Sequence, residues 1–254
     1  MIPYNFIFDV DGTLTPSRQK MDPIFKTFFK GFIQYNNTWL ITGSDYPKTA
    51  EQVGADICKE VRGVYNCSGN NIWRDGQEVY KDNWVLPDSC REWFEKKLQK
   101  SKFSCRTGQH IEERAGLANF SIVGRGATLG ERKMYVDWDE QTDERIKLAE
   151  EFNEKFKKKK LLAQVAGETG IDITQKNSNK SSILRDVSIP IIFFGDKVEP
   201  GGNDFPLANA LIGKNDSHTI GVNSWRDTYF HLKKIIKDVQ KHLNSLEYKN
   251  GVKR

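Results

Sequence analysis

Phe6-Ile7-Phe8-Asp9-Val10-Asp11-Gly12-Thr13-Leu14-Thr15 sets two carboxylates two residues apart behind an apolar run. Such a run reads as a buried strand that delivers both acids to its carboxyl end, where open parallel sheets build their sites. Side chains at i and i+2 share a face of an ideal strand, but Gly12-Thr13 lets the chain turn directly after the pair. One acid can then attack as a nucleophile while the other reaches the leaving group. Carboxylates this close repel, so a divalent cation is their natural partner.

The elements that must position this pair are legible around it. Tyr4 to Val10 is the first expected strand. Asp22-Pro23 supplies a helix start, followed by Phe25, Phe28, Phe29 and Phe32 on one face. Thr38 to Ile41 is a second buried strand, closed by Thr42-Gly43-Ser44-Asp45, and a helix from about Pro47 to Val61 follows. This alternation predicts a parallel sheet with crossover helices.

The pattern changes at Asn71 to Tyr80, where Asp75-Gly76 between two alternating runs predicts a hairpin. From Asp82 to Asn179 the expectation is helix, two strands, helix, two strands. The second helix spans about Gln141 to Phe156, and the strands are Leu117 to Val123, Lys133 to Asp137, Leu161 to Ala166 and Ile171 to Thr174. After Lys180 come a helix, an apolar strand from Ile189 to Phe194 ending in Gly195-Asp196, and a last helix carrying Leu232, Ile235, Ile236, Val239 and Leu243. The expected fold is α/β: a Rossmann-like core of residues 1–81 and 180–254 with a parallel sheet, and an inserted α+β cap domain of residues 82–179.

Composition narrows the class. The chain has 254 residues, 37% of them hydrophobic, and no apolar run near the length of a membrane span, so a soluble protein is expected. The opening residues carry no basic segment, which argues against a secretory leader. Four cysteines without CxxC spacing read as reduced thiols, which places the expected compartment in the cytoplasm. The net charge of +5 rests partly on Lys157-Lys158-Lys159-Lys160 and on the tail from Lys249 to Arg254. Such runs are usually solvated, and only Phe156 accompanies the lysines, so neither a nucleic-acid nor a membrane partner is expected.

Asp9-Val10-Asp11-Gly12-Thr13 resembles the first motif of the haloacid-dehalogenase superfamily of aspartate-based phosphoryl-transfer enzymes. Leu40-Ile41-Thr42-Gly43-Ser44 resembles the second, Lys180 stands where the superfamily has its phosphate-binding lysine, and Phe193-Phe194-Gly195-Asp196-Lys197 with Gly201-Gly202-Asn203-Asp204 resembles the acidic fourth. Two longer segments, Asp11 to Lys20 and Phe193 to Asp204, closely resemble the eukaryotic-type phosphomannomutases. Glu113-Arg114-Ala115-Gly116-Leu117-Ala118-Asn119-Phe120-Ser121-Ile122-Val123-Gly124-Arg125 is similar to that family's R-N-G-M-L-N-x-S-P-I-G-R segment. Gly170-Ile171-Asp172-Ile173 sits where the family has S-F-D-V.

The resemblance implies roles. Asp9 forms an aspartyl phosphate, and Asp11 is acid toward the leaving sugar oxygen, then base toward the returning one. Mg²⁺ is held by Asp9, the main-chain carbonyl of Asp11 and Asp196, with Asp204 or Asn203 ordering its waters. Thr42, or Ser44 in its place, and Lys180 hold the phosphoryl oxygens, with Gly43 between the two hydroxyls. Arg18, Arg114, Arg125 and Arg132 supply guanidinium forks for a second, non-reacting phosphate, and Asn119 and Asp172 face sugar hydroxyls.

The activity so implied interconverts mannose 6-phosphate and mannose 1-phosphate, primed by a hexose 1,6-bisphosphate; a phosphatase acting on a sugar phosphate or nucleotide is the alternative. A homodimer through the inserted domain is a further implication. Departures are Gly170 for the family's serine, Ala115 for its asparagine, and Leu207 to Thr219 in place of its F-T-D-P-R-T stretch.

Overall fold

A computed structural model describes residues 3–176 and 178–249, with side chains of the last helix described at Trp225 to Val239 and at Lys241. The side chain of Leu243 and the tail beyond Lys249 therefore lie outside what is described. In chain order the elements begin β1 (Asn5–Phe8), α1 (Pro23–Tyr35), β2 (Asn37–Ile41), α2 (Tyr46–Val53), α3 (Ala55–Glu60) and β3 (Gly63–Asn66). They continue with β4 (Asn71–Arg74), β5 (Gln77–Lys81), α4 (Asp88–Lys100), β6 (Ile111–Arg114), β7 (Leu117–Phe120), α5 (Leu129–Thr142) and α6 (Glu144–Lys155). The last are β8 (Leu161–Ala166), β9 (Gly170–Gln175), β10 (Ile191–Gly195), α7 (Phe205–Leu211), β11 (His218–Gly221) and α8 (Trp225–Lys249).

Two compact units result: residues 1–80 with 179–254, and residues 81–178. The first holds a seven-stranded sheet of order β11-β10-β1-β2-β3-β4-β5. Its first five strands run parallel, and β4 turns back antiparallel to β3. From β1 the chain crosses to β2 on one side, and from β10 to β11 on the other. The carboxyl ends of β1 and β10 therefore flank a topological switch point, the place where such sheets form a crevice.

Aromatic packing fixes β1 there. Phe8 stacks on Phe194 of β10 at 4.9 Å between centroids and meets Phe29 of α1 edge-on at 5.2 Å. Helix α1 starts where expected because the Asp22 carboxylate accepts from Ile24 N and Phe25 N and Pro23 occupies the first turn. Asp75 and Gly76 both take positive φ (51° and 74°), as a two-residue hairpin turn between β4 and β5 requires.

The expected helix from Pro47 to Val61 is broken in two at Gly54, where φ is 103°. That positive φ, which L side chains rarely adopt, is what requires glycine there. β10 starts at Ile191 rather than Ile189, because Pro190 has no N–H to give to the ladder. Lys180 opens a 3-10 turn, Lys180–Arg185, in place of the expected helix.

The second unit is an antiparallel sheet of order β6-β7-β9-β8, in agreement with an α+β reading. Ile111, Ala118, Phe120, Ile171, Ile173, Leu161 and Ala163 alternate onto one face and bury against Phe94, Tyr135 and Phe152 from α4, α5 and α6. The expected strand Lys133 to Asp137 is instead part of α5. Thr128 and Glu131 form a reciprocal capping box that starts a helix at Leu129, and Tyr135 and Asp139 then turn inward at helical spacing. The expected helix from Gln141 to Phe156 is the end of α5 and all of α6, divided at Asp143, whose φ is 53°.

Phe152 is fully buried and stacks on Phe94 at 5.1 Å. Phe152→Ala is expected to cost about 3–5 kcal/mol in urea denaturation, while Lys157→Ala, on the exposed lysine run, stays within about 0.5 kcal/mol.

Candidate active site

The carboxyl ends of β1, β2 and β10 bring together Asp9, Asp11, Thr42, Ser44 and Asp196, and Lys180 and Asp204 join them from flanking turns. Asp9 leaves β1 at 3% exposure, its N–H still donating to Phe194 O at 2.9 Å. Lys180 is 0% exposed, and its ammonium donates to Asp9 Oδ1 and, at 2.7 Å, to Asp204 Oδ1. Asp204 Oδ2 accepts from Lys197 N at 3.0 Å. Two glycines permit the close approach: a Cβ at Gly12 would lie 2.5 Å from Asp196 Oδ2, and one at Gly195 would lie 2.7 Å from Asp204 Oδ2.

Asp9, Asp196 and Asp204 each offer an oxygen within 4.8 Å of the others. Burial raises the proton affinity of Asp9 above the usual carboxylate range, Lys180 opposes that, and Asp204 and Asp196 add to it. Asp196 is shifted the same way, by burial first and by Asp204 second. Burial alone would lower Lys180, but Asp9 and Asp204 overcome it and hold the ammonium charged. Three carboxylates facing one bonded ammonium leave excess negative charge on an oxygen-only donor set, which suits a hard divalent cation. Asn203 is exposed on the adjoining loop, and the Asp11 side chain is not among the three clustered carboxylates.

Asp11 is held differently. Its Oδ1 accepts from Arg18 N at 2.6 Å and from Gln52 Nε2 at 2.9 Å, while Ser44 Oγ lies 3.4 Å from Oδ2. Thr42 is buried and its Oγ1 accepts from Ser44 N at 3.1 Å; Gly43 is exposed beside it. Thr13 Oγ1 reaches Asp9 Oδ2 at 3.5 Å, and the buried Thr228 of α8 donates to Thr13 O at 2.7 Å. Gln52 and Thr228 have no sequence signal of their own, since what marks them is their partner.

In the second unit Glu112, Asn119, Asp172 and Gln164 stand in register across β6, β7, β9 and β8. Asn119 Nδ2 donates to Asp172 Oδ1 at 2.6 Å. Glu112 gathers two arginines: Arg114 Nε at 3.1 Å and the guanidinium of Arg125. Burial would raise Glu112, but these two arginines hold it below the usual range. The Asp172 carboxyl is raised, mainly by burial. Arg132 lies on helix α5 rather than by a strand and pairs with Glu168 at 2.9 Å, apart from the Glu112 group. Glu112 was open to sequence reasoning, because Glu112 and Arg114 are two apart on one strand. A Cβ at Gly170 would lie 2.5 Å from Asn119 Nδ2, so this pairing leaves no room for a serine there.

The sequence model of the eukaryotic phosphomannomutases matches residues 25–238. The chain belongs to the eukaryotic phosphomannomutase family. Phosphomannomutase from Drosophila melanogaster is 30% identical over 214 residues, covering 79% of this chain and 84% of the relative. Human phosphomannomutase 1 is 30% identical over 213 residues, covering 79% and 81%. Phosphomannomutase from Encephalitozoon cuniculi is 28% identical over 253 residues, covering 92% and 94%.

Among solved structures, Plasmodium falciparum IMP-nucleotidase aligns with a TM-score of 0.60 at 15% identity, over 92% of this chain and 68% of that one. A trehalose-6-phosphate phosphatase related protein aligns with a TM-score of 0.55 at 20% identity, over 93% and 100%. These likenesses agree with the α/β fold. No helix among the described residues is long and apolar enough to cross a membrane.

Two charges of this core are expected to respond in opposite ways to neutralisation. Lys180→Met leaves Asp9 and Asp204 buried without their cation and is expected to cost about 3–5 kcal/mol in urea denaturation. Asp196→Asn removes repulsion and is expected to raise the melting temperature measured in chelator.

Proposed function

We propose that this chain interconverts mannose 6-phosphate and mannose 1-phosphate, with a hexose 1,6-bisphosphate as primer. One observation carries the reading. The Asp9–Asp11 pair is split into a carboxylate buried against Lys180 and a second one reached by N–H donors. That is the asymmetry a nucleophile and an acid–base group need, and it stands in a chain whose relatives are named phosphomannomutases.

Asp9 attacks phosphorus, forming a carboxylate O–P bond as the sugar ester O–P bond breaks. Asp11 gives its proton to the departing sugar oxygen. In the reverse half a sugar monophosphate attacks the phosphoaspartate through its free hydroxyl, forming the bisphosphate and freeing Asp9, and Asp11 takes that proton back. Lys180 and the Thr42 and Ser44 hydroxyls hold the phosphoryl oxygens. Asp9, Asp196, Asp204 and the main-chain carbonyl of Asp11 would hold Mg²⁺, which supplies charge compensation as carboxylate and phosphate approach.

Arg114 and Arg125 bind the phosphate that is not reacting, and Asn119 and Asp172 bind sugar hydroxyls. Glu112 holds the two arginines together until a phosphate takes its place. The same proposal includes a cytoplasmic location and a homodimer through the inserted unit, and it needs neither a nucleic acid nor a membrane.

Phosphorus NMR with Mg²⁺, mannose 1-phosphate and a trace of hexose 1,6-bisphosphate tests the reaction. A growing 6-phosphate signal without inorganic phosphate is expected, and Asp9→Asn abolishes it while the protein stays folded. Inorganic phosphate as the main product would make the enzyme a hydrolase instead. Because the raised proton affinity of Asp9 competes with the metal, the Mg²⁺-induced rise in melting temperature is expected to shrink as pH falls through neutrality. A pH-independent rise would remove Asp9 from the metal set.

A further inference from the structure

Gln52 lies on α2, 41 residues from Asp11 in sequence, and is 2% exposed. Its Nε2 donates to Asp11 Oδ1 at 2.9 Å and to Thr15 Oγ1 at 3.2 Å. Its main-chain carbonyl accepts from Met21 N at 2.8 Å. One residue thus holds Asp11, the far end of the turn that carries it, and the segment leading into α1.

The amide orientation is dictated by charge. Turned over, its oxygen would face the Asp11 carboxylate. In the orientation present, Gln52 Oε1 is buried without a hydrogen-bond partner. An unpaired buried acceptor is destabilising, and an alkyl side chain of the same volume would avoid it. That cost opposes the two bonds the amide donates, so stability alone gives an amide little advantage at this position.

The geometry points to Gln52 as a positioning residue for the acid–base step: with Arg18 N it holds Asp11 by Oδ1 and leaves Oδ2 to exchange the proton with the sugar oxygen. This rests on the reading of Asp11 given above. Ser44 Oγ, 3.4 Å from Oδ2, is a weak contact that a substrate oxygen can displace.

The test uses leaving groups. A sugar alkoxide needs the proton of Asp11 on departure, whereas p-nitrophenolate leaves without one. Gln52→Met, close in volume, removes both donated bonds, and Gln52→Glu replaces the donor with an acceptor at the same size. For both variants, kcat with mannose 1-phosphate is expected to fall roughly tenfold or more with KM nearly unchanged, and first-turnover release of p-nitrophenolate to fall less than about threefold.

Equal losses on the two donors, or a urea midpoint that falls in step with activity in both variants, would overturn the inference and make Gln52 a packing residue. Asp11→Asn separates the two levels of the account. If Asp11→Asn fails to split the donors, the acid–base reading itself falls. If Asp11→Asn splits them and the Gln52 variants do not, only the role of Gln52 falls.

Discussion

The buried ammonium of Lys180 is the interaction on which the rest of the core depends. It is wholly removed from solvent and bonded to both Asp9 and Asp204. Taking such charges out of water is costly, and their mutual attraction repays the cost only when geometry and further hydrogen bonds are good. Here Asp204 is also satisfied by Lys197 N, while the Thr13 hydroxyl reaches Asp9 at 3.5 Å. The charge balance still does not close, because Asp196 stands within the same group. That surplus is the charge that a divalent cation would offset under the proposed function.

Around it, the fold supplies proximity rather than chemistry. Strands β1 and β10 end side by side at the switch point, and the Phe8–Phe194 stack sets their relative height. Glycines at 12 and 195 let two carboxylates come closer than any Cβ would permit. Thr228, from the other end of the chain, ties α8 to the turn after Asp11. In the second unit, strand alternation divides one sheet into an apolar face under three helices and a polar row of Glu112, Asn119, Asp172 and Gln164.

Where local chemistry decides structure, the sequence was readable. β1, the Asp22-Pro23 start of α1 and the Asp75-Gly76 turn each carry their cause within a few residues. Lys133 to Asp137 misled because the short apolar run Met134-Tyr135-Val136 resembles a buried strand, and only the capping box upstream and the burial of Tyr135 and Asp139 make it helical. β11 and α7 are short and were not foreseen. In the site, Asp9, Asp11, Thr42, Lys180, Asp196 and Asp204 stand in motifs. Gln52 and Thr228 do not, since their partners lie 41 and 215 residues away and only the folded chain brings them together.

The central claim is that the carboxylate buried against Lys180 carries the phosphoryl group. The direct measurement is acid quenching of the enzyme during turnover of hexose 1,6-bisphosphate with Mg²⁺, followed by peptide mapping by mass spectrometry. The account predicts one phosphoryl group on the peptide containing Asp9 and on the Asp9 side chain itself. Phosphate mapped to another residue, or turnover continuing with no phosphorylated peptide at any quench time, would contradict it.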